Sequence, residues 1–363
     1  MYYWIALRLI AGIGNVTCRN LLARFGSPES VFHAGRDDLA QVEGMGPQTV
    51  EAIARFRHSD AIDREIERIE AAGVRALTIV SPEYPDNLRN IYDPPPLLYV
   101  KGSLKPKDQS ALAVVGSRSS SDYGRQAALD ICREVAAAGL TVVSGMARGI
   151  DSVAHAAALA AKGRTIAVLG CGVDIVYPLE NKRLYDRIAE NGAVVSEYSM
   201  GTKPNAYNFP ARNRIISGLA LGVLVVEAGM KSGSLITARM ALEQGRDVFA
   251  VPGSIYSFKA KGVHSLLRSG AKLVEGAGDI LEELKLGGPQ HALVQPEVDV
   301  IAELEPALQN LYGMLQEAPV HIDELIVRSH LPSGQLSSLL LELELAGCVR
   351  QLPGKRFAKA HIN

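Results

Sequence analysis

Small, hydroxyl-bearing and basic residues recur in four segments of the sequence, each of which comes after a run of apolar residues. The segments are 116–120, 144–151, 209–216 and 227–237. Backbone N–H groups at glycines, serine hydroxyls and guanidinium groups are the donors that bind a phosphate group. The spacing therefore predicts an anion site that is assembled from several loops.

One aromatic ring accompanies these donors. Phe209 precedes Arg212, Asn213 and Arg214 at the start of a predicted helix. We expect this ring to be exposed beside the two cations, so that a nucleobase can stack on it. Lys231 lies at the mouth of the fourth segment and adds a further cation.

The second segment carries residues with ordinary structural interpretations. Asp151 is predicted to cap the helix that follows, and His155 one turn later is predicted to be a packed histidine of that helix. Two interpretations of Arg148 stay open, since it either faces a ligand or pairs with Asp151.

The elements that position these segments are predicted by hydrophobic pattern. Continuous apolar runs, which are typical of strands buried on both faces, alternate with helical patterns that end at Gly139, Gly163 and Gly192. The runs are 112–115, 141–143, 165–169, 193–195, 222–226 and 247–251. We expect a doubly wound, mostly parallel Rossmann-like sheet over residues 76–286, with ligands beyond the carboxyl ends of its strands.

Residues 1–75 are predicted to form a small all-α domain. Two glycine turns, Gly12-Ile13-Gly14 and Gly44-Met45-Gly46, each lie between short helical patterns, in the manner of helix-hairpin-helix units. Two interpretations remain open. In the first, the turns bind phosphates, with help from Arg19 and Arg24 or from Arg55 and Arg57. In the second, the glycines only close tight turns in a small helical domain.

The C-terminal part has a different organisation. After a predicted linker at 287–303, residues 304–363 show three helical patterns and a hairpin, the order of a winged helix. The presumed recognition helix, 335–345, has no Lys or Arg and contains Glu342 and Glu344, which would repel phosphate. We therefore favour protein contact, or a modulation of duplex binding, over a transcription factor that reads duplex DNA.

Composition limits the class of protein. The chain has 363 residues, of which 47% are hydrophobic and 21% charged, and 38 Lys and Arg balance 39 Asp and Glu. This excludes an intrinsically disordered chain, and any anion-binding surface must be local. Residues 201–275 carry ten basic and four acidic residues, which predicts a basic central face. The cysteines are scattered and no export or membrane signal is visible, so we expect a cytoplasmic protein without a metal site.

Enzyme motifs are not found in the sequence. It has no G-x-G-x-x-G after the first strand, no P-loop, no H-E-x-x-H and no G-x-S-x-G. Glu227 ends a strand without an evident catalytic partner. One alternative is a nucleotide-processing hydrolase of the lysine-decarboxylase-like group, but Ala238 follows Thr237 where its pattern needs an acid. We predict no catalytic residues and no cofactor.

Six motifs in order resemble the bacterial DNA processing protein A family, called DprA or Smf. They are the Pro-rich segment from Tyr84-Pro85 to Gly102, then Val115-Gly116-Ser117-Arg118, 144–151 with His155, 209–214, 232–238 and Val251-Pro252-Gly253. The resemblance implies a protein that binds and protects single-stranded DNA without strong sequence preference. It also implies that the protein loads the RecA recombinase onto that strand during natural transformation.

The motifs and the resemblance together predict the DNA-binding residues. These are Gly116, Ser117, Arg118, Ser119, Tyr123, Gly124, Ser144, Gly145, Arg148, Phe209, Arg212, Asn213, Arg214, Lys231, Ser232, Gly233 and Ser234. The resemblance also implies a homodimer, with His264, Leu267 and Leu273 in the stretch 262–273 as candidate interface residues. An amphipathic helix packed on the sheet is the alternative for that stretch.

Overall fold

The computed structural model describes residues 1–285, 305–315, 319–345, 348–352 and 354–359. The chain divides into two compact units, Met1–His291 and Ala292–Asn363. The N-terminal helices and the large sheet belong to the first unit. The linker predicted at 287–303 lies outside the described residues.

The N-terminal region is helical, as predicted. Its helices are α1 (Tyr2–Leu9), α2 (Asn15–Phe25), α3 (Pro28–His33), α4 (Arg36–Ala40), α5 (Pro47–Ala54) and α6 (Asp60–Ala71). Gly12 and Gly44 have φ angles of +89° and +86°, which favour glycine, and they form the turns before α2 and α5. Ile5 and Ile62 pack with Tyr99 and Val173, so this region is docked on the sheet.

The first unit is built on a nine-stranded sheet. Its strands are β1 (Arg75–Thr78), β2 (Leu97–Gly102), β3 (Ala111–Val115), β4 (Thr141–Ser144), β5 (Thr165–Val168), β6 (Ala193–Ser196), β7 (Gly222–Val225), β8 (Asp247–Ala250) and β9 (Lys272–Leu273). Their order is β1-β2-β6-β5-β4-β3-β7-β8-β9. The strands from β6 to β9 in this order are parallel, whereas β2 is antiparallel to both β1 and β6.

Helices cover both faces of the sheet. They are α7 (Asp86–Arg89), α8 (Asp122–Ala137), α9 (Ile150–Ala160), α10 (Lys182–Asn191), α11 (Asn208–Gly218), α12 (Ser234–Glu243), α13 (Lys261–Arg268) and α14 (Ala277–Glu283). Leu112 and Val114 of β3 pack under α8 and α9, while Ala113 and Val115 pack under α11 and α12. This alternation explains why the central strands are apolar at every position.

Strands β1, β2 and β9 have no counterpart among the strands predicted from the sequence. The Pro-rich stretch is predicted to be a connection, yet Leu97–Gly102 forms β2 and pairs with β1 in register Leu98↔Leu77. Tyr84 is buried and its hydroxyl donates to Pro95 O at 2.8 Å, which holds the Pro-rich segment against the sheet. Prolines flank this strand and hide its pattern.

The second unit is a winged helix. It contains α15 (Pro306–Met314), β10 (Val320–His321), α16 (Ile322–Ser329), α17 (Ser333–Leu345), β11 (Val349–Leu352) and β12 (Arg356–Lys359). The strands form a sheet in the order β10-β12-β11, so the predicted hairpin gains a short third strand. The architecture confirms the predicted fold class. No helix among the described residues is long and apolar enough to span a bilayer.

Candidate functional site

A groove of about 1220 Å³ lies over the carboxyl ends of the parallel strands. Strand β3 lies between β4 and β7. After β3 the chain forms β4 and β5 on one side of it and later β7 and β8 on the other side, so the strand order reverses at β3. Open parallel sheets bind ligands at the carboxyl ends of the strands at such a reversal. Many of the predicted residues line this groove. They are Gly116, Ser117, Arg118, Ser119, Phe209, Arg212, Asn213, Lys231, Ser232, Gly233 and Ser234.

The loop after β3 is fixed from three sides. The buried carboxylate of Glu227 accepts from the Ser121 amide at 2.9 Å and from the Ser121 hydroxyl at 2.6 Å. The Ile150 amide donates to Ser117 O at 3.2 Å, and Lys259 Nζ donates to Ser119 O at 2.5 Å. The loop therefore presents its donors in one conformation.

Gly149 makes the close approach of this loop to α9 possible. Its φ is +75°, and a Cβ atom there would lie 2.3 Å from Ser117 O and 2.7 Å from Arg118 O. Any side chain at this position would push the loop away from the start of α9. The glycine therefore sets the distance between two strand-end segments.

Asp151 lines the groove, whereas His155 is buried outside the lining. Asp151 lies in the first turn of α9 rather than at the predicted cap, which is Gly149, and it accepts from the amides of Gly145 and Ala147 at 3.2 and 3.3 Å. Burial raises the pKa of this carboxyl. His155 is fully buried, contacts Thr165 Oγ1 at 2.6 Å, and burial lowers its pKa to about 3. The prediction of a packed histidine is confirmed.

Arg212 is a buried arginine at the floor of the groove. Its Nη1 donates to Gly145 O at 2.8 Å and to Val168 O, so it joins the ends of β4 and β5. A Cβ atom on Gly145 would lie 2.6 Å from this guanidinium. Burial lowers the pKa of Arg212 to about 10, which leaves the group charged at neutral pH. Arg212, which the sequence predicts to bind DNA, instead holds the ends of β4 and β5 together through these hydrogen bonds.

Phe209 is half-buried at the wall of the groove. Tyr177 stacks on it with ring centroids 5.5 Å apart and an interplanar angle of 28°. The Arg118 guanidinium lies 5.7 Å from the centre of the Phe209 ring. The ring is therefore a half-buried part of an aromatic and cationic cluster, rather than the exposed platform beside Arg212 and Arg214 that the sequence predicts.

The exposed cations of the groove are available to an anion. Arg118 and Lys231 line the groove and are exposed, and neither forms an ion pair with a carboxylate in the part of the chain that the structure describes. The groove also receives the N-terminus of α12, whose dipole favours a negative charge. The arrangement matches the chemistry of a phosphate chain.

Arg214 does not face the groove. Its guanidinium is buried and pairs with Asp93 at 2.8 Å and with Glu197 at 2.6 Å. Residues two apart on a helix point about 200° apart, so Arg212 and Arg214 cannot share one surface. The prediction that both line the same site is wrong for this geometric reason, and Arg214 instead ties α11 to the Pro-rich segment.

Five other predicted residues do not line the groove, and one of them is Gly145, which lies against the Arg212 guanidinium. Ser144 is buried beneath the groove and donates to Val114 O at 2.6 Å. Arg148 pairs with Glu180, Nη2 to Oε2 at 2.7 Å, and not with Asp151. Tyr123 donates to Pro252 O at 2.6 Å and lines a neighbouring cavity of about 410 Å³. Gly124 packs against the Glu227 carboxylate.

The structure adds residues that the sequence analysis did not select. Tyr177 comes from the loop after β5, while Phe258 and Lys259 follow β8. The sequence feature that points to them is their position in a loop after a strand, which is the rule that selected the other loops. Both loops extend well beyond their strands, so the rule did not indicate which of their residues return to the groove.

The residues predicted to form a dimer interface have different environments. His264 Nε2 lies 2.9 Å from Gly253 O, and Leu267 packs against the core. Leu273 is 46% exposed on β9, the last strand of the sheet.

Comparison with family models gives matches along most of the chain. Residues 75–285 match the model of DNA recombination-mediator protein A. Residues 295–355 match the DprA winged helix domain, and residues 5–56 match a SAM-like helix-hairpin-helix tandem.

Several curated proteins are similar to this chain. Protein Smf from Synechocystis sp. is 35% identical over 390 residues, covering 98% of each chain. Protein Smf from Escherichia coli is 44% identical over 278 residues, covering 75% of this chain and 74% of that protein.

Solved structures extend the similarity. The X-ray structure of DNA processing protein A from Streptococcus pneumoniae superimposes with a TM-score of 0.69 at 40% identity and covers 78% of this chain and 98% of that one. The Helicobacter pylori protein, whose structure concerns its single-stranded DNA binding mode, gives a TM-score of 0.53 at 31% identity and covers 59% and 96%.

Proposed function

The chain belongs to the DNA recombination-mediator protein A family, DprA or Smf, and we propose that it binds single-stranded DNA in the groove and loads the RecA recombinase onto that strand. The observation that carries the proposal is a pair of exposed cations, Arg118 and Lys231, which have no carboxylate partner among the described residues and line a groove that also holds an aromatic cluster. Such a surface attracts a polyanion that also has faces to stack.

The groove supports binding without sequence readout. Arg118, Lys231 and the two serines around the start of α12, Ser232 and Ser234, contact phosphates. The Phe209 cluster stacks with a base through its π faces. Stacking accepts every base, since each has a π face. Arg212, Gly145 and Ser144 act indirectly, because they hold the strand ends that carry these contacts.

A non-enzymatic role fits the groove. Glu227, the carboxylate considered as a catalytic base, does not line the groove; it is buried and accepts two hydrogen bonds from Ser121, which fixes a loop. No observation favours the alternative hydrolase. The proposal is therefore a binding protein without catalytic residues or a cofactor.

Loading of RecA in the cytoplasm, during recombination or natural transformation, completes the proposal. A homodimer would place two grooves on one strand, and the exposed Leu273 on edge strand β9 is the candidate contact. The winged helix serves protein contact, because α17 has no cation and exposes Leu341 to 55%. Sedimentation of Leu273→Asp tests the dimer, since a loss of the dimer is expected and an unchanged mass contradicts it.

Titration of fluorescent oligothymidine and of a duplex of equal length, each at two salt concentrations, tests the binding step. We expect preference for the single strand and a strong decrease of affinity with salt. Equal affinity for both forms, or no binding in dilute buffer, would contradict the proposal. RecA-dependent ATP hydrolysis on the same strand, with and without this protein, tests the loading step.

A further inference from the structure

The turn after β8 exposes an unusual group of large apolar side chains. Ile255 is 73% exposed, Tyr256 is 91% exposed and Phe258 is 71% exposed. Single exposed apolar residues are common, but a cluster on one turn indicates a binding surface. Phe258 and Lys259 line the groove, whereas Tyr256 does not.

Phe258 and Phe209 lie toward opposite ends of the groove. Phe209 lies beside Gly170 and Tyr177, which follow β5, and Phe258 follows β8. In the sheet order, β4, β3 and β7 separate β5 from β8. A DNA strand that passes over the carboxyl ends of these β-strands therefore meets one aromatic ring near each end of the groove.

The two rings differ in how much of their surface is available. Phe209 is half-buried and contacts both Tyr177 and Arg118. The Phe258 ring has Lys261 Nζ at 5.1 Å from its centre and no aromatic neighbour among the described residues. The more accessible stacking face therefore belongs to Phe258.

Charge at this end of the groove suits the same ligand. Lys261 is exposed beside the ring, and Lys231 lines the adjacent wall. Neither lysine forms an ion pair in the described part of the chain. An unpaired base on Phe258 would thus have cations close to its flanking phosphates. A peptide partner would lack this repeated negative charge.

We propose that Phe258 is a second base-stacking platform, which binds a nucleotide at the β8 end of the groove while Lys261 contacts a neighbouring phosphate. This inference rests on the proposed binding of single-stranded DNA. It extends the path of the strand from the Phe209 cluster across the loops after β3 and β7 to the turn after β8.

The test compares Phe258→Ala with Tyr256→Ala, a control on the same turn that lies outside the groove. We expect Phe258→Ala to lower the affinity for oligothymidine about tenfold, as loss of one base–aromatic contact does. Its salt dependence stays that of the unmodified protein, because no phosphate contact is removed. Tyr256→Ala keeps the full affinity, and Phe258→Trp restores it.

An oligomer of abasic sugar-phosphate units provides the second measurement. The unmodified protein and Phe258→Ala should bind it equally, since it has no base to stack. Circular dichroism of each variant checks folding, which the 71% exposure of Phe258 favours.

The outcomes separate the two proposals. If the unmodified protein binds oligothymidine and Phe258→Ala binds as tightly, the platform is refuted while single-strand binding stands. Equal losses in Phe258→Ala and Tyr256→Ala also refute it, because they indicate a general change in the turn. If the unmodified protein does not bind oligothymidine, the proposed function itself fails.

Discussion

The groove and the N-terminal hairpins share the same sequence features, but their cations differ in whether they pair with other residues of the protein. Both combine glycine turns, helix N-termini and arginines. In the groove, Arg118 and Lys231 have no carboxylate partner in the described structure. In the hairpins, Arg24 pairs with Asp38 at 3.6 Å, and Arg55 pairs with Glu51.

The remaining hairpin arginines also have protein partners. Arg19 donates to Tyr92 O at 2.6 Å, and Arg57 donates to Phe56 O at 2.8 Å. Arg8 donates to Glu197 O at 3.1 Å, which adds a polar contact to the apolar docking of these helices. Of the two open interpretations, the contacts favour closed turns in a docked helical domain. The comparison teaches that a cation binds an external anion only where its own neighbours leave it unpaired.

The largest expected effect separates cations that position the groove from those that bind. Arg212→Gln should lower the free energy of unfolding by about 3 kcal/mol, because two buried carbonyl groups lose a charged donor and Asp151 loses a nearby positive charge. Urea denaturation measures it, with Tyr207→Ala as the control, because Tyr207 lies just before α11 and is 86% exposed. A stable variant with a flattened salt dependence would instead make Arg212 a phosphate contact.

The second prediction concerns the unpaired cations themselves. Arg118→Ala combined with Lys231→Ala should weaken oligothymidine binding about 100-fold at low salt, since two charge-assisted contacts are lost. The slope of log affinity against log salt should flatten by about 1.4, or about 0.7 for each phosphate contact. Fluorescence anisotropy over a salt series measures both. An unchanged slope would place the phosphates elsewhere.

Acid provides a third way to separate the two regions. The native state keeps His155 neutral with a pKa of about 3, against about 6.5 for an unperturbed histidine. The contribution of the neutral imidazole to the free energy of unfolding is therefore complete above pH 6.5, and it decreases as the pH falls toward 3. Between pH 7 and pH 5 this amounts to about 2 kcal/mol. The loss of stability over that range should be smaller by this amount in His155→Asn.

Urea titrations at the two pH values provide the measurement for His155. The unmodified protein, measured at the same two pH values, is the reference. If His155→Asn kept the pH dependence of the unmodified protein, the buried imidazole would not be the group that titrates on unfolding.

The smallest expected effect is at the hairpins. Arg24→Ala combined with Arg55→Ala removes the same number of positive charges as the groove variant, yet it should change oligothymidine affinity by less than about twofold, because both arginines are paired. The same anisotropy series applies. A flattened slope would show that the hairpins bind DNA and would remove the contrast between the two regions.

The order of residues is sufficient to predict the layers of this protein and the loops that form its groove. Continuous apolar strands require a sheet covered on both faces, and glycine, serine and basic residues after those strands must then gather at one edge. Local pattern was sufficient there because burial and strand direction follow from the order of residues. The absence of cations from α17 was also visible in the sequence.

Only the tertiary structure decided which side chains are available to a ligand. Arg214 was assigned to the groove by its neighbours in sequence, but Asp93 and Glu197 come from distant segments and bind it. Phe209 acquired Tyr177 as a stacking partner from a separate loop, and Phe258 reached the groove from another. Pairing and exposure depend on contacts between residues far apart in the chain, and these exist only once the fold has formed.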